Sequence, residues 1–275
     1  MSAIAEAVAD GKLPGRVWMY ADYHCNLACT YCLTESAPKS PHRVIGRERM
    51  LEIADEAAEL GFTDLGVTGG EPFLLRWLPE TLASMSERLP VLVLTNGTLF
   101  TRRLLASLAP LAHRDVAMQI SLDRPDPDDN DEMRGKENFR KVVEAVPRLV
   151  DQGIEVRIAT TVESIEDSEL DRLCALHREL GIPDEDHIIR PIVRRGRAID
   201  HDLGVVAQQI DVPAELTVTV DGAFWSPFGP TVHDGVVDTD LLITRTTRPL
   251  STPANALLRL VGERPEGSDV SLNIR

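Results

Sequence analysis

Apolar runs of strand length alternate along the chain with stretches whose apolar residues recur at helical spacing. Six runs read as buried strands: 16-RVWMYA-21, 64-DLGVT-68, 90-PVLVLT-95, 115-DVAMQISL-122, 154-IEVRIATTV-162 and 187-HIIRPIV-193. Near-continuous apolar runs of this kind suit strands covered on both faces. Between them the period lengthens. Met50, Ile53, Ala57 and Leu60 stand at i, i+3, i+7 and i+10, with Gly61 placed to cap the helix. Leu78, Leu82, Met85 and Leu89 form a second stripe, and Thr101 can cap a third helix bearing Leu104, Leu105, Leu108 and Leu111. Phe139, Val142, Val143 and Val146 mark a fourth, which Pro147 should kink or break. A fifth carries Leu170, Leu173, Cys174 and His177 and is closed by Gly181 and Pro183.

Strands alternating with helices imply a parallel sheet, either open and doubly wound or rolled into a full or partial barrel. In both, the working face lies at the C-terminal ends of the strands. After about residue 200 the pattern changes. The run 215-ELTVTV-220 alternates, 221-DG-222 supplies a hairpin turn, and 223-AFW-225 returns as the partner strand. Beyond it lie 241-LLITRTTRPL-250 and a short helix near 254-ANALLRLV-261. The expected organisation is α/β: an N-terminal extension at 1–15, a barrel-like unit at 16–199, and a small C-terminal α+β appendage at 200–275 closing one side.

Composition narrows the function. The formal net charge of −15 argues against a broad nucleic-acid surface, and the basic run 194-RRGR-197 is too short to change that. No apolar run has the length of a membrane span, and the N-terminus lacks the basic and apolar regions of a signal peptide. A cytoplasmic location is expected. In a reducing compartment clustered cysteines serve metals or catalysis rather than disulfides.

Three of the four cysteines fall in 23-YHCNLACTYC-32, directly after the first strand. Cys25, Cys29 and Cys32 put three thiolates on one short loop, suited to zinc or an iron–sulfur cluster. A structural zinc site needs a fourth ligand, for which His24 and His42 are candidates. A 4Fe–4S cluster on three cysteines leaves one iron open, as a catalytic metal site requires.

The form C-N-L-x-C-x-Y-C resembles the radical S-adenosylmethionine (radical SAM) superfamily. The resemblance implies a partial (β/α)6 TIM-like barrel, one 4Fe–4S cluster on Cys25, Cys29 and Cys32, and S-adenosylmethionine chelated at the open iron. It also implies reductive cleavage of that cofactor to a 5′-deoxyadenosyl radical, which takes hydrogen from a substrate. The segment 68-TGGEP-72 resembles the family's GGEP motif, with Gly69 and Gly70 allowing close approach and Glu71 accepting from the cofactor's ammonium. Asn96 of 95-TNG-97 either faces the cofactor or only makes a turn. Ser121 and Asp123 of 120-ISLD-123 resemble a Ser-x-Asp pattern, although Arg124 stands where a glycine is usual. Arg134 of 133-MRG-135 takes the place of an arginine that pairs with the cofactor carboxylate. The backbone of Ile192 and Val193 is expected to read the adenine edge, with Tyr31 packed nearby or bracing the loop.

The hairpin 218-VTVDGAFWSPFG-229 resembles the opening of a SPASM or twitch extension, but no cysteine follows Cys174, so a second cluster is not expected. The tail is then expected to cover the barrel mouth, with Phe224, Trp225 and Phe228 either touching substrate or forming the appendage core. Cys174 and His177 read as core residues, the histidine with its polar atoms satisfied. Asp22, His24, Glu35, His187, Arg190 and Trp225 are further candidates for the mouth.

The leading expectation is a biosynthetic enzyme acting on a small molecule or peptide, with an external one-electron donor such as flavodoxin or ferredoxin. The short N-terminus leaves no room for a leader-peptide domain, and a redox-neutral or reductive outcome is favoured over dehydrogenation. The alternatives are a non-catalytic metal- or cluster-binding interaction module and a scaffold descended from an enzyme.

Overall fold

The computed structural model describes residues 2–262. Met1 and residues 263–275, the end of the expected appendage, lie outside the described residues. The strands are β1 (Arg16–Asp22), β2 (Asp64–Gly69), β3 (Val91–Thr95), β4 (Val116–Ser121), β5 (Glu155–Val162), β6 (His187–Pro191), β7 (Thr217–Thr219), β8 (Gly222–Phe224), β9 (Val232–His233), β10 (Val236–Val237) and β11 (Leu242–Thr244). The helices are α1 (Ala3–Ala9), α2 (Arg47–Leu60), α3 (Leu78–Met85), α4 (Arg102–Ser107), α5 (Pro127–Arg134), α6 (Asn138–Asp151), α7 (Asp167–Glu179), α8 (Arg197–Asp200) and α9 (Ser251–Gly262).

Strands β1 to β6 pair in parallel and in sequence order, with helices between them. This is a partial (β/α)6 barrel whose sheet does not close. Its core is the apolar content of the strands and of the helix stripes. Met50, Ile53, Ala54 and Ala57 of α2 and Leu78, Leu82 and Met85 of α3 are buried with Val17, Trp18 and Met19 of β1. Fully burying one large aliphatic side chain contributes about 1.5–3 kcal/mol, so these stripes hold the helices to the sheet. Gly61 ends α2 in the left-handed conformation at φ +94°, as its place in the sequence requires.

Two local expectations are corrected. Pro147 does not break its helix: α6 runs through it from Asn138 to Asp151, with Val142, Ala145, Val146 and Leu149 buried on one face. That burial outweighs the loss of one helical hydrogen bond. The C-terminal hairpin turns one residue earlier than 221-DG-222 implies. Thr219 pairs with Gly222, leaving Val220 and Asp221 at the tip, because Gly222 at φ +152° continues into β8. The sequence reading also passed over α1, which Ser2 caps by accepting from the Ala5 N–H.

The C-terminal segment is built into the same sheet. Strand β7 pairs in parallel with β1, through Trp18 with Thr217 and Met19 with Val218, and β8 and β11 follow antiparallel. The sheet order is β11-β8-β7-β1-β2-β3-β4-β5-β6, and β10 pairs with β9 apart from it. A polar contact secures the junction: Trp18 Nε1 donates to the buried Glu215 carboxyl at 2.5 Å. Burial pushes Glu215 up to about 7 and the Trp18 hydrogen bond opposes it. A carboxyl raised in the folded state binds its proton more tightly there. Its stabilisation is fully present below the unfolded value of about 4.3 and is lost as pH rises through about 7. Glu215→Gln, which keeps an oxygen for Trp18, should therefore flatten stability between about pH 5 and about pH 8 by roughly 2 kcal/mol. Chemical denaturation across that range measures it; a variant with the slope of wild type would contradict the assignment.

Candidate active site

The segment between β1 and α2 carries the thiols. Cys25, Cys29 and Cys32 are all free, and all three line one cavity of about 190 Å³. Cys25 is buried and the other two are half-buried. Each sulfur has a polar neighbour. Cys25 Sγ accepts from the Leu27 N–H at 3.4 Å and from Asn96 Nδ2 at 3.7 Å, Cys29 Sγ meets the Arg134 carbonyl at 3.6 Å, and Cys32 Sγ lies 3.2 Å from Thr34 Oγ1. Burial pushes Cys25 up to about 12, with Glu71 adding to it, and pushes Cys29 up to about 11, against Arg134. Both thiols hold their protons in the metal-free protein, so taking up a metal centre must release them.

Distant parts of the chain clamp this loop. Arg197 donates to the Cys29 carbonyl at 2.6 Å and the Ser36 carbonyl at 2.9 Å, and its own N–H reaches the Cys32 carbonyl at 3.0 Å. Of the short basic run, Arg197 holds the thiol loop, while Arg195 pairs with Asp240 and Arg194 with Asp202. From the tail, Thr231 Oγ1 donates to the Leu33 carbonyl at 2.8 Å, and Tyr20 of β1 donates to the Pro227 carbonyl at 2.5 Å.

Gly69, the last residue of β2, and Gly70 after it line the cavity with the thiols. A Cβ on Gly69 would sit 2.2 Å from the Asp22 carbonyl oxygen, and one on Gly70 would sit 2.1 Å from that of His24. The glycines therefore let the end of β1 and the thiol loop close onto β2. Gly70→Ala should push the loop off its seat and lower metal-centre occupancy by about tenfold or more, since the contact is with rigid backbone. Iron and sulfide analysis after reconstitution checks this; full occupancy would show that the loop tolerates the shift.

Glu71 does not form part of the cavity wall. Its carboxylate is wholly buried away from the cavity wall, accepting from the Phe73 N–H at 3.0 Å, Thr95 Oγ1 at 2.9 Å and the Asn96 N–H at 2.8 Å. Burial pushes it up to about 7 and those three donors hold it down. The side chain ties the end of β2 to the end of β3. Asn96 does line the cavity, and its amide donates to Asn26 as well as to Cys25.

Tyr31, Asp123 and Arg134 form one buried group. Asp123 is wholly buried behind the wall; it accepts from Arg134 Nη1 at 3.1 Å, from the Tyr31 hydroxyl, and from the Thr161 N–H at 2.9 Å. The Tyr31 hydroxyl also accepts from Arg134. Burial pushes the Tyr31 phenol well up, against Arg134, so it stays a donor. Burial works against the Arg134 charge, but Tyr31 and Asp123 more than restore it. Arg134 Nε is buried without a hydrogen-bond partner. Tyr31, Arg134 and Ser121 line the cavity, whereas Asp123 acts through its neighbours.

Val193 lines the cavity and Ile192 does not. The Ile192 N–H donates to the Val162 carbonyl, and its own carbonyl accepts from the Val205 N–H at 2.8 Å, so both backbone groups already have partners within the fold. Phe228 reaches the wall, while Phe224 and Trp225 belong to the core. Of the six other candidates for the mouth, Arg190 alone lines the cavity. Asp22 accepts from the Tyr23 and Arg43 N–H groups, Glu35 pairs with His233, and His187 meets Thr160 at 2.8 Å. His177 is buried, but neither ring nitrogen has a partner; it packs edge-on to His187 at 4.3 Å, and burial pushes it down to about 3. Cys174 is half-buried, 3.8 Å from His187 Nδ1. The sequence reading missed Gln119 of β4, Thr161 of β5 and Thr68 of β2, which all line the cavity. A glutamine inside an apolar strand was the available signal.

The kinds of residue present suit an iron–sulfur centre with a bound zwitterion, although among the described residues no three Cys, His, Asp or Glu side chains are already gathered as a metal site. Three free thiols share one wall, two glycines permit close approach, and a buried guanidinium has a nitrogen to spare.

Comparison with known proteins agrees. The radical SAM superfamily profile matches residues 23–176. Mycofactocin maturase MftC of Mycolicibacterium smegmatis is 31% identical over 189 residues, covering 68% of this chain and 47% of that protein. Antilisterial bacteriocin subtilosin biosynthesis protein AlbA of Bacillus subtilis is 30% identical over 181 residues, covering 65% of this chain and 40% of that protein. The chain thus spans less than half the length of these two relatives. Among solved structures, native anSMEcpe with bound AdoMet and Cp18Cys peptide superposes with a TM-score of 0.61 at 14% identity, over 91% of this chain and 84% of that one, which shows the shared fold. By its family segment and these relatives, this chain belongs to the radical SAM superfamily.

Proposed function

We propose that the protein is a radical SAM enzyme that starts radical chemistry on a peptide or small-molecule substrate of a biosynthetic pathway. The observation that carries this reading is the convergence on one cavity of three free thiols and the Tyr31–Asp123–Arg134 group. The family binds S-adenosylmethionine and an iron–sulfur cluster; here Cys25, Cys29 and Cys32 would hold a single 4Fe–4S cluster. When bound, that pair supplies a one-electron cleavage of S-adenosylmethionine to a hydrogen-abstracting 5′-deoxyadenosyl radical.

The chain's own residues do the rest. Asn96 and the Leu27 N–H donate to Cys25 and temper the charge on its sulfur. Arg134 presents a guanidinium, oriented by Asp123 and Tyr31, to the cofactor's carboxylate. Gly69 and Gly70 let backbone approach the amino-acid moiety, and Ser121 and Val193 complete the cofactor wall. Leu33, Pro227 and Phe228 form an apolar side that excludes water from reactive species. Peptide substrates are favoured by the relatives, a mycofactocin maturase and a bacteriocin biosynthesis protein. An external one-electron donor such as flavodoxin or ferredoxin would reduce the cluster. No helix among the described residues is long and apolar enough to cross a membrane.

The test is anaerobic reconstitution with iron and sulfide, then dithionite and S-adenosylmethionine. Formation of 5′-deoxyadenosine supports the enzyme. A full cluster that yields none, and whose electron paramagnetic resonance signal ignores S-adenosylmethionine, overturns it in favour of a non-catalytic cluster-binding module.

A further inference from the structure

Charge is spread unevenly over this acidic chain. Residues 88–114 hold four arginines and no Asp or Glu, in a protein of net charge −15. Arg88 pairs with Asp55 and Glu87, and Arg114 with Glu87. Both precede their strands, β3 and β4, and so stand at the end of the sheet away from the thiols. Arg102 and Arg103 open α4, after β3, on the thiol side, and both are exposed. Arg76, exposed in the connection after β2, joins them, because Phe73 and Phe100 meet edge-on at 5.3 Å and hold the two connections together. Among the described residues the side chains of Arg76, Arg102 and Arg103 make no ion pair or hydrogen bond. Glu80, four residues after Arg76, is taken by Arg47 at 3.4 Å. The next connection turns acidic, with Asp128, Asp129 and Glu132 exposed on α5.

The loop bearing this charge also touches the thiol loop. Asn96 donates to Cys25 Sγ at 3.7 Å, and Asn26 donates to Thr98 Oγ1 at 2.8 Å. Three residues separate Thr98 from Arg102. Beside Arg76 stands the half-buried indole of Trp77, and Trp and Arg are the residue types that most often anchor an interface. A protein this acidic repels another acidic protein over most of its surface, so a local basic patch fixes where such a partner lands.

We infer that Arg76, Arg102 and Arg103, around Trp77, form the landing site of an acidic one-electron carrier protein. The carrier gives up one electron, which the metal centre held by the thiols gains, and no bond is made or broken. The inference rests on the preceding reading in taking the thiols as the holders of a reducible centre.

An acidic flavodoxin is the probe. Calorimetry on the reconstituted full chain compares wild type, the double variant Arg102→Glu/Arg103→Glu, and the control Lys12→Glu/Arg259→Glu, which makes the same change of charge about α1 and α9. Glutamates suit the first turn of a helix, so α4 should stay folded. Wild type should bind flavodoxin, and less tightly as salt rises. The Arg102/Arg103 variant should bind at least about tenfold more weakly, and the control within about twofold of wild type. The same variant should lose flavodoxin-driven 5′-deoxyadenosine and keep the dithionite-driven product, because a small reductant needs no docking surface. No binding by wild type overturns the inference, as does unchanged binding by the Arg102/Arg103 variant or an equal loss in the control. Equal affinity of wild type for a poly-glutamate peptide overturns it in favour of a site for acidic peptides. Loss of the dithionite-driven product in the Arg102/Arg103 variant also overturns it, since the arginines would then serve the reaction itself. If wild type makes no 5′-deoxyadenosine with dithionite, the enzyme reading fails, and the binding comparison, which needs no turnover, still decides the role of the patch.

Discussion

Cys29→Ala should leave a folded protein that makes no detectable 5′-deoxyadenosine. Altering a residue that only orients a metal ligand typically costs about 10–100-fold in metal affinity or activity, so removing one of three ligands must exceed that. The fold should survive because Cys29 is only half-buried and its backbone carbonyl, held by Arg197, is retained. Alanine also loses a thiol whose protonated form is favoured by burial, so the apo protein is not penalised. Iron and sulfide content, visible absorbance and product analysis read the outcome together. Wild-type levels of 5′-deoxyadenosine in this variant would remove the thiol loop from the chemistry.

The second large effect is on stability. Asp123→Ala should destabilise the protein by about 3–5 kcal/mol, the usual consequence of stranding one member of a buried ion pair. Arg134 would be left as a buried cation, Tyr31 would lose its acceptor, and the Thr161 N–H would be unpaired. For a chain of this size the thermal midpoint should fall on the order of 10 °C. Asp123→Asn keeps an acceptor for Thr161 and should lose less. S-adenosylmethionine affinity should fall in both, because Arg134 is no longer held in place. A midpoint within about 2 °C of wild type in Asp123→Ala would mean that Arg134 finds its compensation elsewhere.

The places where the sequence reading and the structure differ follow a physical pattern. Glu71 reads from its local motif as facing a ligand, whereas two of the three groups its carboxylate accepts from, Thr95 and Asn96, lie more than twenty residues away at the end of β3. Ile192 looked available until residue 205 folded back to take its carbonyl. Gln119, Thr161 and Thr68 went unnoticed because strands covered on both faces read as apolar runs, which hide which side chains turn inward. Pro147 was weighed by its local cost, while the burial along α6 that overrides it is tertiary.

What the sequence by itself determined is whatever depends on short-range spacing. That includes the thiol triplet, the two glycines, the alternation of strand and helix periods, and the absence of any cysteine after Cys174. Bond lengths and the periods of helix and strand make such features independent of the rest of the fold. The tertiary structure alone decided which polar groups are spent and which face the cavity. It joined Trp18 to Glu215, Tyr20 to Pro227 and Arg197 to Cys29, each across well over a hundred residues. It also set Arg134 against the buried Asp123 and brought Arg190 of a later strand to the same cavity. Charge and hydrogen-bonding partners are properties of proximity in space, and a linear chain does not carry that proximity until the sheet has brought its ends together.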